Sequence, residues 1–194
     1  MMAGRTISLN IPKVPNQGFV VLDTETTGLH DPARVIELAL IFMSPAGQIE
    51  STWTTLLHGD GHSGGPKLER IHGIQNSDLV QAPTFEQIAE EFEDAVQGRL
   101  IFGHNAKFDR ARINFELGLV NRSLLPELPC TMYLGMHLGH GQLKLEDAIA
   151  LFGIHRVNAH CAYDDALATA ELLKHYMIND RKGVDSYLRD KGFH

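Results

Sequence analysis

Four apolar residues in a row, Phe19-Val20-Val21-Leu22, run straight into Asp23-Thr24-Glu25. Side chains of a strand alternate between its two faces, so a strand apolar at every position has both faces covered. This segment therefore belongs in the middle of a sheet with helices on either side. The carboxylates at i and i+2 leave the end of the strand on one face. Two like charges held side by side there are unfavourable without a cation, although acidic residues also close strands and enter turns with no metal at all. Thr26-Thr27-Gly28-Leu29 follows, with a glycine that permits a tight backbone path and a close approach of substrate.

The remaining pattern fits a sheet of this kind. Residues 34–42 and 48–56 are β-rich and are joined by Ser44-Pro45-Ala46-Gly47, a turn sequence, which predicts a three-stranded meander. Residues 59–66 hold four glycines and a proline and read as a flexible loop. Over 84–96, Phe85, Ile88, Ala89, Phe92 and Val96 recur at helical spacing, with Thr84 and Gln87 as a capping box. A short strand at 100–102 precedes a helix over 106–117, and another short strand is expected at 128–131. Helices follow at 132–138, 143–152 and 162–178. The order predicts an α/β fold, a mixed five-stranded sheet flanked by helices. We expect an N-terminal arm over 1–17, one domain over 18–180, and a polar, partly ordered tail over 181–194.

Charge narrows the function. The net charge of the 194 residues is -7, and the pI is near 5.8. A broad basic surface for nucleic acid is excluded, so any such role must rest on a local site such as bound metal ions. No run approaches the ~18 apolar residues of a membrane span, and the N-terminal stretch has no apolar core of a secretory signal. A cytoplasmic location is expected, with Cys130 and Cys161 as buried, reduced thiols.

Two further segments carry chemistry. His104-Asn105-Ala106-Lys107-Phe108-Asp109 sits where a strand meets a helix. Capping accounts for Asn105 as N-cap and for Asp109 in the first turn, but leaves His104 and Phe108 unexplained. His160-Cys161-Ala162-Tyr163-Asp164-Asp165 opens the long C-terminal helix. By helical phase Asp165 lies on the packed stripe with Ala162, Ala166, Thr169, Leu172, Leu173 and Tyr176, whereas Asp164 falls with Ala168, Glu171 and His175 on the polar side. A charge on a buried stripe is rare unless paired or metal-bound, so Asp165 is the anomalous one. Asp23, Glu25, Asp109 and Asp165 together supply about -4, enough to offset two divalent cations. Oxygen ligands suit Mg2+ or Mn2+, and a pair of ions ~3.5–4 Å apart suits in-line phosphoryl displacement.

These three segments resemble the three motifs of the DEDDh branch of the DnaQ-like exonucleases, the family of the polymerase III epsilon proofreading subunit and of ribonuclease T. Asp23 and Glu25 match the first motif, Asp109 in His-Asn-x-x-Phe-Asp the second, and His160 with Asp165 the third. Four residues separate His160 from Asp165, as in the histidine branch. The runs Val35-Ile36-Glu37-Leu38-Ala39 and Ile71-His72-Gly73-Ile74 agree. The resemblance spans about residues 18–178. It implies a ribonuclease H-like fold and 3′–5′ hydrolysis of nucleic acid, with single-stranded DNA favoured over RNA. It also implies Asp23, Glu25, Asp109 and Asp165 as metal ligands, with His160 as the general base that takes a proton from the attacking water. Thr26, Leu29, His72, Asn105 and Phe108 would hold the terminal nucleotide. Cys130 stands where the family often has an acidic residue, which casts no doubt on catalysis. The Gln-Leu-x-Leu run at 142–145 lies in an expected helix, so no sliding-clamp tether is expected, and a stand-alone repair or processing role follows. A homodimer is left open.

Three other readings stand beside this one. An exoribonuclease of the same fold would differ in contacts to the 2′-hydroxyl, which the sequence does not reveal. A non-catalytic binding module would be expected to lack one of the five motif residues, and all five are present. A zinc hydrolase using His58, His62 and His72 would need a rigid element under histidines that sit in a glycine-rich stretch.

Overall fold

In the computed structural model, which describes residues 5–13 and 17–193, the apolar run lies in the middle of a sheet. Strand β1, Phe19–Thr26, pairs antiparallel with β2, Val35–Met43, and parallel with β4, Leu100–Phe102. β2 pairs antiparallel with β3, Ile49–Leu56, and the order across the sheet is β3-β2-β1-β4. All nine residues of β2 are buried, as its covered position requires.

Four strands form among the described residues, not five. Segment 128–131 makes a single parallel bridge between Gly103 and Cys130. Pro129 has no N–H to give to a ladder, and Thr131 already begins a helix, so the pairing stops at one step.

Eight helices clothe the sheet among the described residues: α1, Pro66–His72; α2, Asn76–Leu79; α3, Phe85–Val96; α4, Lys107–Leu119; α5, Thr131–His137; α6, Leu145–Leu151; α7, Ala162–Asn179; and α8, Arg181–Asp190. Alternation along β1 divides the core. Val20 and Leu22 pack with Phe85, Ile88 and Phe92 of α3 and with Ile113 and Leu117 of α4. Phe19 and Val21 pack with Ala166, Ala170 and Leu173 of α7. At α3 the capping box forms as expected, with the Thr84 hydroxyl accepting from Gln87 N–H and Gln87 accepting from Thr84 N–H. A cap of this kind contributes about 1 kcal/mol.

Three further expectations are corrected. The stretch expected as a partly ordered tail is helix α8, started by Asp180, which accepts from Gly183 N–H at 2.9 Å. Val184, Tyr187 and Leu188 form an i, i+3, i+4 stripe that docks on the α7 side of the core. The glycine-rich loop is held rather than free: Arg34 pairs with Asp60, and Ser63 donates to Glu69 at 2.6 Å and to Asn76 at 2.8 Å. Residues 142–144 precede α6 instead of belonging to it. Of the cysteines, Cys130 is buried, whereas Cys161 is only half-buried at the start of α7, and both are free. The arm expected over 1–17 lies partly outside the described residues. Its described part runs along β3, with Thr6 accepting from Leu56 N–H and Ser8 N–H donating to Thr55.

Candidate active site

The parallel strands β1 and β4 both end at the same edge of the sheet, and there the two helix layers meet. Asp23 and Glu25 face the α7 side, in phase with Phe19 and Val21. Asp109 comes from the other side, on the first turn of α4, and Thr24 joins the layers by donating both its N–H, at 3.0 Å, and its hydroxyl, at 2.8 Å, to Asp109 Oδ1. A cleft of about 600 Å3 opens over this edge. All ten residues named from the sequence line it: Asp23, Glu25, Thr26, Leu29, His72, Asn105, Phe108, Asp109, His160 and Asp165.

The third segment reaches the cleft through an unusual backbone. His160 adopts φ 59, the left-handed region that non-glycine residues enter at a cost of about 1–3 kcal/mol. Its N–H donates to Asp165 Oδ2 at 3.2 Å, and its carbonyl accepts from Arg5 at 3.4 Å. Asp165 is buried and also accepts from Arg156 at 3.0 Å. Asp164 points elsewhere, accepting from the Asn158 side chain at 2.7 Å and from its N–H at 3.2 Å. The helical phase therefore separates the two aspartates as expected. Ala168, expected on the polar side, is buried, because α7 is packed between the sheet and neighbouring helices.

Crowded carboxylates dominate the electrostatics. Burial, then the charges of Glu37 and Asp165, push Glu25 up to about 8. Burial pushes Asp109 up to about 7 despite the opposing bonds from Thr24. Asp23 is raised well above the usual carboxylate range by burial and then by Asp109 and Glu25. Asp165 is raised by burial against the pull of Arg156. A set of hard oxygen donors short of positive charge is what a divalent cation fits. Glu25, His160 and Asp165 each offer a ligand atom, all within 4.8 Å of one another. Asp23 and Asp109 line the same cleft but are not in that closest group, in which the histidine stands instead. His58, His62 and His72 do not converge among the described residues.

The substrate-side residues divide in two. Leu29 is 66% exposed and Phe108 half-buried, leaving apolar surface open to the cleft. Asn105 is exposed at φ 64, a conformation asparagine tolerates, so it is not the N-cap that capping would make it. Thr26 and His72 use their polar atoms within the protein. The Thr26 hydroxyl donates to Gly28 O at 2.7 Å. His72 Nδ1 accepts from Ile74 N–H at 3.0 Å, which leaves Nε2 to donate to Ser63 O at 3.2 Å. Gly28 has an ordinary φ; an added Cβ would come within 3.3 Å of Ala33 Cβ, so its small size serves packing.

Five residues beyond the ten predicted ones shape the site. His104 spans Thr131 Oγ1 at 2.9 Å and Leu143 O at 3.0 Å, pinning the turn between β4 and α4. Thr24 orients Asp109, and Arg156 bonds Asp165. The pair Arg5–Glu37, at 3.0 Å, ties the N-terminal arm to the back of the site. Arg5 also donates to His72 O, while the second Glu37 oxygen accepts from Ala162 N–H at 3.0 Å. Glu37, an acid inside an otherwise apolar strand, was the available sequence signal; nothing local marks Arg5.

Arg5→Met is expected to lower turnover about tenfold, short of the ~100-fold that a 1 Å misplacement can cost. It also leaves Glu37 buried without its partner, a loss of about 3 kcal/mol in a denaturant titration. Adding Glu37→Gln should restore much of the stability and little of the rate. Full turnover in Arg5→Met would show that the arm does not position His160.

Over residues 20–173 the chain matches the RNase T exonuclease family. It is 32% identical over 160 residues to the DNA polymerase III subunit epsilon of Treponema pallidum (strain Nichols), covering 79% of this chain and 74% of that one. Among solved structures, exonuclease X in complex with 5′ overhanging duplex DNA is similar at TM-score 0.65 and 25% identity, covering 84% of this chain and 93% of that one. The Mg2+ and Mn2+ bound form of S. pombe Pop2p is similar at TM-score 0.71 and 17% identity, with 87% and 86% covered.

Proposed function

Since the chain belongs to the RNase T exonuclease family, a DnaQ-like group with a ribonuclease H-like fold, we propose that it removes nucleoside 5′-monophosphates one at a time from 3′ ends, with single-stranded DNA as its preferred substrate. The observation that carries this reading is the meeting of Asp23, Glu25, Asp109, His160 and Asp165 from three chain segments in one cleft. Asp23, Glu25, Asp109 and Asp165 would hold two divalent ions, Mg2+ or Mn2+. When bound, the ions supply Lewis acidity that activates water and offset charge on the phosphoryl group. His160, exposed at the cleft and fixed through its N–H and carbonyl, accepts the proton of the attacking water. Leu29 and Phe108 contact the terminal base, while Asn105, Thr26 and His72 shape the floor beneath the last nucleotide. In this reading residues 18–180 carry the nuclease together with the docked helix α8, in a cytoplasmic repair or processing role. Among the described residues no helix is long and apolar enough to cross a membrane.

An end-labelled degradation assay in magnesium tests the proposal, comparing single-stranded DNA, duplex DNA, RNA and a circular single strand. Stepwise loss from the 3′ end with 5′-monophosphate products is expected, and the circle should survive. Nicking of the circle or release of 3′-phosphates would overturn the reading. Faster loss of RNA than of DNA would assign the enzyme to RNA ends instead.

Metal binding should also be visible without substrate. Glu25 and Asp109 titrate higher in the folded chain, about 8 and about 7, than in the unfolded one. Between the unfolded and folded values the native state keeps protons that the unfolded state has released, so metal-free stability falls as pH rises through that window. Cations displace those protons and relieve the repulsion. Millimolar magnesium is therefore expected to raise the melting temperature over chelator, and more at about pH 8 than at about pH 5.5. A gain that is absent, or flat with pH, counts against the carboxylate site.

A further inference from the structure

The chain carries a net charge of -7, yet one cleft beside the catalytic one is basic and aromatic. It holds about 490 Å3 and lies between the first turn of α4, helix α5 and the C-terminal end of α8. Lys107, Arg110 and Lys191 line it together with the rings of Tyr133, Tyr187 and Phe193. Glu127 is the one carboxylate on its wall, against three cations. Lys107 and Lys191 are exposed and join none of the ion pairs among the described residues. Arg110 is fixed from behind, its Nε donating to the carbonyls of Leu125 at 3.2 Å and Pro126 at 2.6 Å. The rings are also placed: the Tyr187 hydroxyl accepts from Cys130 N–H at 3.2 Å, its ring lies 6.2 Å from that of Phe193, and Tyr133 is 40% exposed.

This cleft shares its wall with the catalytic one. On α4, Phe108 and Asp109 face the catalytic cleft while Lys107 and Arg110, one turn apart, face this one. Cys130 lines it, and the adjacent Thr131 bonds His104 of the catalytic cleft. Single-stranded nucleic acid offers a phosphate and a π-face at every step, and a basic groove with aromatic platforms binds it without needing a particular sequence.

We propose that the cleft between α4, α5 and α8 is a second subsite for the substrate strand, taking backbone phosphate and a stacked base a few nucleotides upstream of the 3′ end. The proposal rests on the exonuclease reading of the catalytic cleft and makes activity depend on strand length. A dinucleotide would reach only the catalytic cleft, a longer strand both.

Lys191→Gln and Tyr133→Ala in the full chain test this, with thermal melts to confirm that each variant folds. Hydrolysis of a thymidine dinucleotide and of an oligothymidylate of about 12 nucleotides is followed in magnesium, and binding of the longer strand is titrated in chelator at several salt concentrations. For the longer strand, Tyr133→Ala is expected to raise KM and Kd about tenfold. Lys191→Gln should reduce the slope of log affinity against log salt by about 0.7, one phosphate contact. Dinucleotide kinetics should be unchanged. Unaltered kinetics and binding of the longer strand, or equal losses on both substrates, would overturn the subsite. If the wild type hydrolyses neither substrate the exonuclease reading fails, and the binding titration alone then decides the subsite.

Discussion

Asp165→Asn is expected to abolish hydrolysis, whereas Asp164→Asn should leave turnover within a few-fold of the wild type. The two aspartates are neighbours in sequence and opposite in environment. Asp165 is buried, gives one oxygen to Arg156 and the other to His160 N–H, and stands within 4.8 Å of donor atoms of Glu25 and His160. An amide there keeps the volume but removes the charge a cation needs, and it turns an NH2 towards one of two donors. Asp164 instead braces the loop before the helix through Asn158. Its replacement should lower the melting temperature modestly and spare the chemistry. Steady-state rates on an end-labelled single strand, with circular dichroism melts, read both effects. Activity lost at Asp164 and kept at Asp165 would mean that the third motif has been placed one residue out of register.

His160→Ala is expected to lose roughly 10²–10⁴-fold in turnover, the range for a positioned general base. The exposed imidazole can reach a proton in the cleft, and the left-handed backbone that presents it is held independently of the ring, by Asp165 and Arg5. The variant should therefore fold normally. It should also keep its stabilisation by magnesium, because in this mechanism the ring accepts a proton and is not a ligand. Rate and thermal shift together separate the roles. A variant that loses its rate and its magnesium-dependent shift together would make His160 a ligand, completing the close group with Glu25 and Asp165. An unchanged rate would remove it from the mechanism.

Much of this was legible in the sequence because it is encoded in short windows. Phe19 to Leu22 could only be a covered strand, Thr84 and Gln87 could mark a helix start, and the phase of 162–178 separated Asp165 from Asp164. Helix α8 was missed: Asp180 and the stripe of Val184, Tyr187 and Leu188 signal it, but a polar composition hid three well-placed apolar residues. The fifth strand was misread because Leu128 and Cys130, on either side of Pro129, look like a short apolar strand locally, while pairing depends on a partner with matching free groups.

The sequence by itself determined strands β1 to β4, the longer helices α3, α4 and α7, and which residues could carry metal chemistry, since hydrophobic period, capping and motif spacing depend on neighbours a few positions apart. Tertiary structure alone decided which of those residues meet. Arg5 and His160 lie 155 positions apart, Glu37 and Ala162 lie 125 apart, and no local window links either pair. The same holds for the basic cleft, whose cations come from α4 and the end of α8 and disappear into a net charge of -7 when the chain is read as a line. Burial then sets the chemistry: carboxylates that would ionise freely on an open strand are pushed upward once packing removes water and brings like charges together.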